Sequence, residues 1–283
     1  MNHDAYAMLR VSREDGIVRV TLDNPPVNVL NVALMTELRH LLTALRDDES
    51  VRVIVFDSAD PEFFIAHVDM TLVDTPDAFD ELAADLPDGV NVFQALGELL
   101  RHQPQVTIVK LAGMARGGGA EFVTAADMAF AAIGRAGIGQ IEALMGIVPG
   151  GGGTQYLVGR VGRNRALEVV LSADLYDAET AERYGWVNRA VPAGERDLEG
   201  LLRGLAGQEP DEAPVLTGAL STATACGWPA AGPASWATGS YRGGRRTPTA
   251  GCSLQVAPCP ARGRQPARTA RGGSHLRVPC LLS

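Results

Sequence analysis

Three consecutive glycines, Gly117, Gly118 and Gly119, precede a short apolar run, and Glu121 falls on the first turn of that run. Glycine has no Cβ, so a backbone built from it lets a ligand approach closely. The stretch Ala120 to Ala126 reads as a helix that starts on the glycines. A helix start leaves its first N–H groups unpaired, with the dipole aimed the same way. Such a turn favours a negatively charged oxygen, and a glutamate beside it adds a group that carries protons. The bland alternative is a tight strand-to-helix turn with no ligand, and Glu121 weighs against it. A phosphate loop does not fit, because Ala120 and Glu121 stand where GxxxxGK[ST] needs Lys and Ser/Thr. The dinucleotide pattern GxGxxG is missing from this loop, and no GxSxG marks a serine nucleophile.

These glycines need a strand before them and a helix after. Val106 to Leu111 reads as a buried strand that runs straight into them. Upstream, Ile17 to Leu22 alternates as a strand and stops at Pro25 and Pro26, which cannot donate to a ladder. Asn31 can cap a helix carrying Leu34, Leu38, Leu41, Leu42 and Leu45 at helical spacing. Val51 to Phe56 reads as the next strand, which suggests a right-handed crossover. Val90 to Arg101 reads as a helix ended by Pro104, Met128 to Ala132 as a strand, and 163–173 and 177–184 as helices. Val187 to Val191 is expected to close the organised part as a strand. The acidic stretch 71–89 reads as a mobile flap or a loose helix. Strands that alternate with helices define an α/β class.

The formal net charge of −8 hides an asymmetry. Residues 1–212 carry −16, and residues 213–283 carry +8, all of it from Arg, with no acid. The second segment also lacks Lys, Ile, Phe, Met and Asn, and shows no sustained helical or strand period. A disordered basic tail that binds nucleic acid is one reading. A changed reading frame in a GC-rich gene is the other, and the composition, with 24 Arg against the single Lys110, favours it. The expected organisation is therefore a core at 1–195, the start of a helical region at 196–212, and a low-complexity tail at 213–283. All four cysteines lie in the tail without a zinc-like spacing, so no metal site is expected. The absence of a long apolar run and of a secretory leader leads to an expectation of a cytoplasmic, non-membrane protein.

A further segment, GQIEALMGIVPGGGGT from Gly139 to Thr154, joins NPPVNVL (Asn24 to Leu30), FFIAHVDM (Phe63 to Met70) and GMARGGGAEF (Gly113 to Phe122). In this order, with the later helix at Ala178 to Gly185, they resemble the crotonase family, the enoyl-CoA hydratase/isomerase superfamily, from about Met8 to Val191. The resemblance implies a spiral of repeated ββα units acting on acyl-CoA thioesters. It also implies an oxyanion hole from the backbone N–H groups of Val68 and Gly118, and an acid/base pair, Glu121 and Glu142, as in the hydratases. Coenzyme A would lie against Val27, Val29, Ala66 and Val68. No cofactor is implied, because coenzyme A is part of the substrate. The family's C-terminal helices complete the pocket and build a homotrimer or hexamer, and the altered C-terminus here departs from them.

Hydration of a 2,3-enoyl-CoA is the activity this implies. Isomerisation, another enolate reaction, or a catalytically silent relative are the alternatives. His67 stands where the family usually has glycine; if a positive φ is needed there, His67 would strain the turn and misplace the Val68 donor. The other histidines have no partner at a recognisable motif.

Overall fold

The computed structural model describes residues 6–73, 75–87 and 89–192, together with Arg203, Gly204 and Gly207. The chain divides into two units, Met1–Gly232 and Pro233–Ser283, and every described residue falls in the first. The expected tail at 213–283 and most of the expected helical start at 196–212 lie outside the described residues.

A six-stranded sheet is built from β1 (Leu9–Glu14), β2 (Ile17–Leu22), β3 (Val53–Ser58), β5 (Val106–Leu111), β7 (Met128–Ala132) and β10 (Arg189–Val191), side by side in that order. Only β1 runs antiparallel to its neighbour; the remaining pairs are parallel. A second sheet holds β4 (Phe63–Ile65), β6 (Met114–Arg116), β8 (Gly137–Gly139) and β9 (Tyr176–Asp177). Consecutive strands thus alternate between the sheets: β3 then β4, β5 then β6, β7 then β8. A helical segment follows each pair: α2 (Asp80–Ala83) and α3 (Val92–Arg101), then α4 (Gly118–Ala125), then α5 (Gly153–Val161). This is the spiral of ββα units that the sequence suggests. Parallel neighbours require crossovers, and each helix supplies one.

Helix α1 (Val32–Arg46) starts where expected, because the Asn31 side chain accepts the Leu34 N–H at 2.9 Å. Its stripe of Leu34, Met35, Leu38, Leu41, Leu42 and Leu45 is fully buried. Alternation in the large sheet sends Val18, Val20, Leu22, Ile54, Phe56, Val109 and Ala129 into the main core. Ile17, Val53, Val55, Ile108 and Phe130 form a smaller cluster. After α5 come α6 (Arg163–Ser172) and α7 (Ala178–Tyr184), whose N-cap Asp177 accepts the Thr180 N–H at 2.8 Å.

Several expected boundaries move. β3 starts at Val53 rather than Val51, and β10 is confined to Arg189–Val191, preceded by Asn188, which donates its N–H to the Ala129 carbonyl at 2.8 Å and accepts the Ala129 N–H on its side-chain oxygen at 2.9 Å. The 71–89 stretch is two short 3₁₀ turns, Met70–Val73 and Pro76–Phe79, followed by α2. Phe79 there packs edge-on to Phe93 of α3, with centroids 5.4 Å apart.

Phe122 joins α4 to both strand layers, meeting Phe56 edge-on at 5.2 Å and Phe64 at 6.0 Å. Phe122→Ala is expected to lower the unfolding free energy by about 3–5 kcal/mol, and Phe122→Leu by clearly less, measured by urea denaturation. An alanine variant as stable as the parent would show that α4 does not depend on this contact.

Candidate active site

The parallel pairing of β6 with β8 decides the site. Its register sets Arg116 opposite Gly139, and the Gly117 N–H donates to the Gly139 carbonyl at 2.9 Å. Chain leaving β6 becomes α4 with Glu121, while chain leaving β8 reaches Glu142. Two glutamates distant in sequence therefore converge. Both are buried, Glu121 at 4% and Glu142 at 6% exposure.

Each glycine of the triplet has its own reason. Gly117 adopts φ 54°, ψ −120°, which only glycine takes readily. A Cβ on Gly118 would sit 2.5 Å from Val68 Cγ2, and a Cβ on Gly119 would sit 2.4 Å from the Ile65 carbonyl oxygen. The first contact places Val68 beside Gly118.

Val68 forms a lone parallel bridge with Leu30. In it Leu30 N–H donates to the His67 carbonyl at 2.9 Å and Asp69 N–H to the Leu30 carbonyl at 3.2 Å. A parallel bridge of this register turns the Val68 N–H to the opposite side of the strand. Gly118, as the first residue of α4, has no partner for its N–H inside the helix. Neither amide appears as a donor among the loop and cap hydrogen bonds of the described residues. The Leu30 donation into the His67 carbonyl polarises the same peptide unit that carries the Val68 N–H.

His67 is not among the residues with positive φ, so the expected strain does not arise. Its Nδ1 lies 2.7 Å from the Val68 carbonyl oxygen, on the far side of the residue from the amide. Ala66 N–H donates to the Val27 carbonyl at 3.2 Å, and the Val29 carbonyl accepts the Asn24 side-chain amide at 2.8 Å. Val27 and Ala66 are thus joined directly, and Asn28, in the same loop as Val27 and Val29, ties that loop to β3 and β4. Asn28 is buried in the left-handed region at φ 51°. Its oxygen accepts the Asn24 N–H at 2.7 Å, and its nitrogen donates to Ser58 Oγ at 2.8 Å and to the Phe64 carbonyl at 3.2 Å.

Glu121 Oε1 accepts two amides, Gly151 N–H at 2.7 Å and Gly153 N–H at 2.8 Å, at the start of α5. Burial pushes its carboxyl above the ordinary range, and the Gly153 and Gly151 amides pull it back. Glu142 opens the 3₁₀ turn Glu142–Met145. Burial raises its carboxyl to about 7, with its own backbone amide opposing and the Glu121 charge adding. Buried Gln140, its amide nitrogen turned toward Glu142, donates to Oε2 at 3.0 Å and Oε1 at 3.1 Å. Glu121 is thus held by two backbone amides, and Glu142 by the side-chain amide of Gln140. Asn91 fixes the glycine run from outside, donating to the Gly150 carbonyl at 2.8 Å while capping α3.

Asn28, Asn91 and Gln140 went unnoticed as site residues in the sequence. Asn28 and Gln140 sit inside the NPPVNVL and GQIEALMGIVPGGGGT motifs, and Asn91 with Gln94 before an apolar run spells a capping box. Among the described residues no group of His, Cys, Asp or Glu is arranged to hold a metal ion, and no helix is long and apolar enough to cross a membrane.

A carboxyl raised in the folded state binds its proton more tightly there than in the unfolded chain. Glu142 thus contributes least to stability above pH 7, and its penalty fades as pH falls toward 4.5. Glu142→Gln is expected to raise Tm relative to the parent at pH 8 and to lose that advantage near pH 4.5, by scanning calorimetry. A Tm difference independent of pH would contradict this.

A family model for enoyl-CoA hydratase/isomerase matches residues 12–225. Crotonyl-CoA hydratase of Syntrophomonas wolfei is 30% identical over 196 residues, covering 68% of this chain and 72% of its own. Carnitinyl-CoA dehydratase of Proteus mirabilis is 32% identical over 212 residues, covering 75% and 78%. Among solved structures, one from Streptomyces avermitilis, described as a "putative enoyl-CoA hydratase", superposes with a TM-score of 0.74 at 64% identity, covering 78% of this chain and 83% of that one. With its alternating strand pairs, paired glutamates and facing amides, the chain belongs to the enoyl-CoA hydratase/isomerase (crotonase) family.

Proposed function

We propose that the protein hydrates a 2,3-enoyl-CoA thioester. The observation that carries this reading is the pair of buried glutamates: Glu121 is held by the Gly151 and Gly153 amides, and Glu142 lies beside it with its carboxyl raised by burial. The Val68 and Gly118 N–H groups receive the thioester oxygen. As water adds, that oxygen gains enolate charge, so fixed donors stabilise the transition state more than the substrate. Glu121 takes one proton from the water, whose oxygen bonds to C3. Glu142 delivers a proton to C2. The pair holds one proton before and after, and a proton shift between the two carboxyls resets the site. This chemistry calls for no resident cofactor, and coenzyme A enters with the substrate against Val27, Val29 and Ala66. The similarity to a carnitinyl-CoA dehydratase fits, because dehydration is the same step reversed.

Assembly into a homotrimer or hexamer belongs to the same reading. Exposed Leu144, Ile147 and Val148 beside Glu142, with Leu167 and Leu171 on α6, support it, since large apolar side chains grouped at a surface favour association. Sedimentation velocity is expected to show a trimer or its multiple; a monomer would remove this part.

Glu121→Gln and Glu142→Gln are each expected to lower kcat for hydration of crotonyl-CoA by about 10²–10⁴-fold, with the circular dichroism spectrum retained. Parent-like turnover in both variants would remove the roles assigned here.

A further inference from the structure

Helices α4 and α5 are tied to each other at both ends by opposite charges. At one end Glu121, on the first turn of α4, accepts the Gly151 and Gly153 amides at the start of α5. At the other end Arg160, on the last turn of α5, reaches back to the end of α4. Its Nε donates to the Thr124 carbonyl at 3.1 Å, one terminal nitrogen donates to the Asp127 carbonyl at 3.3 Å, and the other to the Ala126 carbonyl. The last carbonyls of a helix have no partner within it, and a planar guanidinium can serve several at once. Between the two ties α5 is a rod of about two turns, at about 1.5 Å per residue. Sliding one end moves the other.

We infer that Arg160 is a positioning residue for Glu121: by fixing the end of α5 on the end of α4, it keeps the Gly151 and Gly153 amides on the Glu121 carboxylate. The role of Glu121 as the base rests on the function proposed above, but the tie itself does not. If α5 slides, Glu121 stays buried and loses the donors that favour its charged form, so it takes up its proton at higher pH. The Glu121 charge is felt by two titratable groups, Glu142 and, from α5, Tyr156. Arg160 is distinct from both and acts through the helix.

The test is a carboxyl-detected NMR titration of the full chain, with the Glu121 signal assigned by its loss in Glu121→Gln. Arg160→Gln is expected to raise the Glu121 midpoint by about one pH unit or more. Arg160→Lys keeps the charge but not the fork, so it should raise the midpoint by a smaller amount. Trp186→Phe serves as a control: it removes the Trp186 Nε1 bond to Thr124 Oγ1, 2.8 Å, at the same end of α4. That variant should lower Tm and leave the midpoint where it is. A parent-like midpoint in Arg160→Lys would overturn the inference, as would a Trp186→Phe shift as large as that of Arg160→Gln. Should Arg160→Gln fail to fold, Arg160→Lys decides alone. The titration needs no turnover, so a parent protein inert toward crotonyl-CoA would sink the proposed function and leave this result standing.

Discussion

A carboxylate removed from water is costly unless hydrogen bonds replace its hydration, and Glu121 is buried almost completely. Much of the site's surroundings follows from meeting that cost. Two amides must approach one oxygen, so the chain facing Glu121 has to be free of side chains there. A Cβ on Gly151 would lie 2.5 Å from Glu121 Oε2, and one on Gly153 would lie 2.9 Å from Oε1. The glycine run, the start of α5 behind it and the close packing of α4 on α5 all answer this one requirement. Tyr156 closes the arrangement, with its ring against Gly152 and its hydroxyl bonded to Glu98 of α3.

The site uses a backbone amide in two opposite ways. Around Glu121 the amides are occupied by a protein carboxylate. At Val68 and Gly118 they face away from the hydrogen bonds of their own segments, and in the function proposed above they receive the substrate's oxygen. Both sets are fixed before any substrate arrives, through the Leu30 bridge on one side and the Arg116–Gly139 register on the other. Preorganised dipoles of this kind do not have to reorient as charge develops.

The large sheet and its helices were legible in the residues because their periods run long enough to be seen. β2, β5 and β7 match Ile17 to Leu22, Val106 to Leu111 and Met128 to Ala132, and α1 begins at the expected cap. The small sheet was not legible. β4, β6 and β8 are three residues each, too short for alternation to register, and β6 is hidden in a run that reads as loop. Helix α5 begins in Gly152 and Gly153, and glycine is a poor helix former, so that stretch reads as a turn. Gly118, Val68, Glu121 and Glu142 were found through motif order and do come together. Their supports, Asn28 and Gln140, lie inside two of those motifs, but the motifs do not tell what each amide holds; the partners of Asn28 include Ser58 and Phe64, distant in sequence.

The triplet glycines also shape how such a site can change over generations. Gly117 is held by its dihedrals, Gly118 by a neighbouring side chain and Gly119 by a neighbouring backbone. Three unrelated obstacles mean that no single compensating substitution frees the loop, whereas the Gly118 obstacle alone yields if Val68 shrinks. Variation in what the fold accepts is therefore channelled away from the glycine turn and into exposed side chains outside it, such as Met70.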